Sequence, residues 1–228
     1  MRSFIPTLLM LLILGVACKE AKKETTNAEV TTLTVSEKIA MAHGYANWGT
    51  VEQLNFTFNV DRDSTHFERS WIWKPKTNDV ISISGTDTLA YNRNAMDSTA
   101  YKVNGGFVND RYWLLAPFNL IWDAQNIETT HEIGSTAPIS GETMQKLTIV
   151  YGNEGGYTPG DAYDFYFKDD FLIQEWVFRK GNQEEASMMT TWENYMVVDS
   201  LKLARDHKRP DSNFNLYFSG VKINAEGN

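Results

Sequence analysis

A single cysteine, Cys18, is all the thiol chemistry available to this chain of 228 residues. An intramolecular disulfide is therefore excluded, and so is a thiolate-built metal site. Histidine is scarce too. His43, His66, His131 and His207 are the four present, and no two stand at the i, i+4 spacing that puts two imidazoles on one helix face. Basic residues number 21 against 29 acidic ones, a formal charge of −8. That balance argues against nucleic acid as a partner and against a basic face held to anionic lipid. No Gly-x-Ser-x-Gly elbow and no phosphate-cradling glycine motif occurs, and the segments 134–136 and 140–142 read as loops. After residue 17 no apolar run is long enough to cross a bilayer. The residues imply no cofactor, no metal site and no catalytic group.

What is present begins at the N-terminus. Met1-Arg2-Ser3 carries positive charge, residues 4–17 are almost wholly apolar, and the run is too short for a membrane-spanning helix. It closes on Gly15-Val16-Ala17-Cys18, which resembles a bacterial lipobox, with the departure that Gly15 stands where leucine is usual and Leu14 lies one position further back. The resemblance implies a lipoprotein signal peptide over 1–17 and an acylated (palmitate-bearing) Cys18, so that the partner here is a membrane reached through lipid. The alternative is an ordinary cleaved signal with an incidental cysteine. Charged and polar residues then make 18–33 a flexible tether, too poor in apolar residues to fold.

Residues 34–228 read as one domain. Thr34-Val35-Ser36-Glu37 is a capping box opening a short helix, with Gly44 as its stop. Period-two alternation predicts strands over 54–60, 67–73, 80–83 and 88–91, and later over 147–151, 163–167, 172–179, 188–198, 201–206 and 213–223. Between the two groups, 108–122 is too densely apolar for a half-exposed strand. Asn109 or Asp110 would cap a helix there and Pro117 would break it into two short pieces. Consecutive strands joined by short turns give an α+β fold: a strongly twisted antiparallel sheet with short helices on one face.

The stretch 36–58 (SEKIAMAHGYANWGTVEQLNFTF) and the later order of strands, helical interruption and strands resemble LolA-like proteins, the lipoprotein-carrier fold of the bacterial envelope, and outer-membrane lipoprotein-sorting-like proteins. The resemblance implies an open half-barrel with helices laid across its concave face, binding a lipid, a lipoprotein acyl chain or another hydrophobic ligand. It places the chain in the bacterial cell envelope, lipid-anchored at the outer membrane or facing the periplasm, with another envelope protein as a further partner. A tethered chain departs from the soluble carrier and is closer to an acceptor or a stationary binding protein.

Phe56, Phe58, Trp71, Trp73, Phe165, Phe167, Trp176 and Phe178 alternate on their strands, and Trp113, Phe118 and Trp122 lie in the dense segment. These residues would line a hydrophobic ligand site. Equally, alternating aromatics fill a solid core, and 112–122 serves as either a lid or a core helix. An accessory protein with a packed core is thus the alternative function. A hydrolase is a third, using Asp161 with Asp164 or Glu175 with Glu193 as paired carboxylates. The loop 154–161, with three glycines, reads as a long hairpin connection or as a wall of a cleft reached by Tyr157 and Asp161. Lys202, Arg205, His207, Lys208 and Arg209 form a basic cluster, read as a solvated strand edge or as a contact for an acidic group.

Overall fold

The computed structural model describes residues 32–210 and 212–226. The signal segment 1–17, Cys18 and all but the last two residues of the tether 18–33 lie outside the described residues. Helix α1 (Val35–Ala42) opens on the expected capping box: Thr34 Oγ1 accepts from the Glu37 amide while the Glu37 carboxylate accepts from the Thr34 amide. Gly44 then takes φ 93°, and a Cβ there would run into the Ser200 carbonyl, so glycine is required twice over.

Thirteen strands follow among the described residues, all paired antiparallel. One sheet has the order β12-β13-β1-β2-β3-β4, built from β1 (Val51–Arg62), β2 (Thr65–Lys74), β3 (Asp79–Ser84), β4 (Asp87–Asn92), β12 (Asp206–Lys208) and β13 (Phe214–Ala225). The other has the order β5-β6-β7-β8-β9, from β5 (Ile127–Thr136), β6 (Thr143–Tyr151), β7 (Ala162–Phe167), β8 (Ile173–Arg179) and β9 (Met188–Thr191). A separate hairpin joins β10 (Met196–Val198) to β11 (Leu201–Leu203). The two sheets are sewn together where β9 runs out beside β12. Glu193 and Asp206 exchange backbone hydrogen bonds of 3.1 and 3.2 Å, and the Lys208 amide donates to Thr191 Oγ1 at 3.1 Å. The surface formed is an unclosed half-barrel with β4 and β5 as its free edges.

Helix α2 (Ser98–Trp122) packs against this surface, and its buried residues join the same core as those of both sheets. Phe107 meets Trp71 and Trp73 edge-on, each with ring centroids 5.4 Å apart, while Trp113 meets Trp176 at 4.5 Å. Two short pieces capped at Asn109 or Asp110 were expected. Instead the helix starts at Ser98, where Asp97 Oδ1 accepts from the Ala100 amide at 2.7 Å, and runs unbroken past Gly105 and Gly106. The expected break does occur, at Leu115 (φ −125°, ψ 22°), two residues before Pro117.

Three further expectations change. The strand read over 188–198 divides into β9 and β10, and the one over 201–206 into β11 and β12, because the seam at Glu193 and Asp206 bends the chain out of the ladder. Residues 134–136, read as loop, belong to β5, which tolerates Gly134 through a register shift between Glu132 and Ser135. His207, read within a solvated basic edge, is instead fully buried among Trp113, Trp192 and Phe218.

Candidate functional site

The middle of α2 is held by an ion pair at its back. Asp110, wholly buried, accepts from Arg69 Nη2 at 2.7 Å and from Trp71 Nε1 at 2.8 Å, and the Arg69 side chain also reaches the Gly106 carbonyl at 3.4 Å. Gly106 permits this approach, since a Cβ there would lie 2.6 Å from Arg69 Nη1. With the helix pinned to β2 there, Asn109, Tyr112 and Trp113 line the gap between the sheets.

There the structure leaves a cavity of about 420 Å³, open to solvent on one side. That volume falls within the ~300–1,000 Å³ usual for small-molecule sites. Its walls are supplied by both sheets: Phe58, Val60, Phe214 and Leu216 from one, Tyr163, Trp176, Phe178 and Met188 from the other. Tyr112 and Trp113 form the helix wall, and Tyr157 and Thr158 of the β6–β7 connection close one flank. Tyr157 lies flat on Tyr112, with ring centroids 3.8 Å apart and planes 6° from parallel. The left-handed backbone at Gly155 and Gly156 (φ 74° and 70°) turns the connection back over the core so that this stack can form. Burial pushes the Tyr112, Tyr157 and Tyr163 phenols up, so these walls stay uncharged at any physiological pH. Arg62 stands at the rim, its guanidinium 5.6 Å from the Phe214 ring centre. The arrangement can sequester apolar surface from water and offers a cation only at its mouth.

Of the aromatics singled out in the sequence, Phe58, Trp113, Trp176 and Phe178 line this cavity. Phe56, Trp71, Trp73, Phe118, Phe165 and Phe167 are buried in the continuous core, and Trp122 is half-buried against Trp48 and Trp73. Val60, Phe214 and Leu216 went unnoticed, although β13 carries the same alternation, Phe214, Leu216, Phe218, that marked the other strands.

The carboxylates considered for hydrolysis are each tied to a structural partner. Asp164 accepts from Arg179 Nε at 3.0 Å and from Thr148 Oγ1 at 2.6 Å, while Asp161 accepts from the Gly181 amide at 2.8 Å. Glu175 caps the turn at Ile139 and Ser140, with amide distances of 2.7 and 2.9 Å, and Glu193 pairs with Lys208 at 2.8 Å. The histidines are dispersed. His43 bridges the Ile39 carbonyl and the Tyr195 hydroxyl, His66 pairs with Asp61, and His131 meets Gln145. Among the described residues no three His, Cys, Asp or Glu side chains gather as a metal site would require.

No protein-family model and no curated protein matches the chain. Solved structures are similar in fold. A DUF1329 family protein of Desulfovibrio piger is 11% identical with a TM-score of 0.47, over 86% of this chain and 95% of its own. A LolA superfamily protein of Nitrosomonas europaea is 10% identical with a TM-score of 0.48, over 84% of this chain and 94% of its own.

Proposed function

We propose that this chain is a bacterial envelope lipoprotein whose half-barrel, over 34–228, binds a lipid, an acyl chain or another hydrophobic ligand without chemical turnover. The observation that carries this reading is the open apolar cavity of about 420 Å³ between α2 and the two sheets. A chain whose sequence holds seven tryptophans and twelve phenylalanines has the means to fill such a space, and here Met188, Leu216 and the aromatic walls leave it open. The engagement of Asp161, Asp164, Glu175 and Glu193 in structural contacts supports binding over hydrolysis. In this reading residues 1–17 are removed as a signal, acylated Cys18 anchors the protein at the outer membrane, and 18–33 tether the domain to it.

A second reading, an accessory protein that docks on an envelope partner, is favoured by one observation. Six of the eleven candidate ligand aromatics are packed into solid core rather than around the cavity.

The test is native mass spectrometry of the protein purified from its own envelope, followed by lipid extraction. The expected result is a stoichiometric amphiphile that is lost from a variant whose cavity is filled, Leu216→Trp. An apo mass together with no uptake of a fluorescent fatty acid leaves the docking reading in its place.

A further inference from the structure

On the side of α2 away from the cavity, Asn104, Phe107 and Arg111 fall on one helical face, at i, i+3 and i+7. Arg111 lies over the rings of Trp73 and Trp122, its guanidinium carbon 5.7 and 5.0 Å from their centres. Its Nε is buried without a hydrogen-bond partner, and among the described residues no carboxylate pairs with the guanidinium. Arg93, just past the end of edge strand β4, reaches over the same face. Its Nε donates to Asn104 Oδ1 at 3.1 Å and its guanidinium lies 5.3 Å from the Phe107 centre, again with no carboxylate partner among the described residues. Tyr91 adds a hydroxyl, 3.3 Å from the same Asn104 oxygen.

Two guanidiniums share this aromatic patch in a chain whose acidic residues outnumber its basic ones. Burying a cation without a counter-charge is costly, and putting a second beside it adds repulsion. The carboxylates nearby are already engaged. Asp110, the one acidic residue of α2, turns to Arg69 and Trp71. Asp123 attracts Arg111 from beyond pairing distance, while its Oδ2 accepts from Asn119 and Tyr151, both at 2.9 Å. Burial and the Arg93 charge together bring Arg111 down to about 10, still protonated at neutral pH. Both arginines are part-buried, keeping a minority of their surface in solvent.

We infer that Arg93 and Arg111 form a binding site for a phosphate-type oxyanion, separate from the apolar cavity. One carboxylate would be satisfied by one guanidinium fork. Two guanidiniums on one aromatic patch, Arg93 over Phe107 and Arg111 over the adjoining Trp73 and Trp122, with a tyrosine hydroxyl nearby, suit an anion that presents three or more oxygens. The same chemistry belongs to free phosphate and to a phospholipid head group.

The test is thermal melting of the full chain at constant ionic strength set with chloride. Inorganic phosphate is titrated in one arm, phosphatidylglycerol vesicles in a second and phosphatidylcholine vesicles in a third as control. The expected result is a saturable rise in Tm, roughly 5 °C or more at a hundredfold excess over Kd, in the phosphate arm, the phosphatidylglycerol arm or both. The arm that responds identifies the source. The rise is expected to vanish in Arg93→Gln and in Arg111→Gln. With no phosphate or anionic lipid present, Arg111→Gln is expected to melt no lower than the parent, because it removes an uncompensated charge. No saturable rise in either arm overturns the inference, as does an equal rise in parent and variants. A marked fall in the Tm of Arg111→Gln without phosphate also overturns it, by making the arginine structural.

Discussion

His43 and His207 are buried as neutral rings, and that choice sets how the protein meets acid. Burial lowers His43 to about 4 and His207 to about 3, against about 6.5 in an unfolded chain. Below pH 6.5 the unfolded state takes up protons that the folded rings refuse, so the folded state loses ground as pH falls toward 4. Above 6.5 neither state protonates these rings and their contribution is constant. Each group approaches a slope of ~1.4 kcal/mol per pH unit within that window. Urea unfolding at pH 7.5, 6.5, 5.5 and 4.5 is therefore expected to show a midpoint that is flat and then declines. The decline should be shallower in His207→Leu, which keeps the ring contacts with an apolar side chain. An undiminished decline in that variant would assign the acid sensitivity to other groups. His66 titrates in the opposite sense, its pKa raised by Asp61 and Glu68, but it is exposed and screened.

At the scale of elements, the decisive pieces are α2 and the connection between β6 and β7. Tyr157 reaches the cavity only because two consecutive left-handed glycines reverse the chain. It then lies on Tyr112, which α2 holds in place through Asp110 and Arg69. Removing the ring should widen the flank while leaving the sheet ladders intact. For Tyr157→Ala we expect faster release of a bound fluorescent fatty acid, by several fold in stopped-flow displacement, with only a modest drop in Tm. Unchanged release would mean that ligand enters elsewhere. Much of this scale was legible in the sequence. The capping box at Thr34, the alternation in β1 and at the end of β2, and the break near Pro117 all follow from local rules, whereas β7 is buried on both faces. The first half of α2 was not legible, because it carries two adjacent glycines, which are poor helix formers. Gly106 is there to admit the Arg69 side chain, a reason that exists only once β2 lies beside the helix. The cavity divides along the same line. Alternation identifies which aromatics point inward, Phe58 and Phe56 alike. Whether a ring meets another ring or an opening depends on where α2 kinks and where β13 ends, and neither has a local signature.

For the molecule as a whole, the seam between β9 and β12 is the thinnest part of the half-barrel. Central strand β7 is buried along its whole length and hydrogen-bonded on both sides. The seam, by contrast, has one isolated backbone bridge at Glu193 and Asp206 in place of a continuous ladder, supplemented by side-chain contacts at Thr191, Trp192 and Glu193. Local opening follows such differences in buried contact and ladder continuity. Amide hydrogen exchange at Glu193 and Asp206 should accordingly be much faster than at Tyr163 and Phe165. The cavity spans this seam, with Phe58 and Leu216 from one sheet facing Trp176 and Met188 from the other. An apolar ligand held between them touches both halves in the closed state and loses those contacts when the halves part. Occupancy must then stabilise the seam more than it stabilises β7, since binding favours only the states that contain the site. Loading the protein with a fatty acid should slow exchange at Glu193 and Asp206 by tenfold or more, with β7 changing less. If exchange slowed uniformly, the ligand would be acting on global unfolding alone. If it did not slow at all, the cavity would not be where the ligand sits.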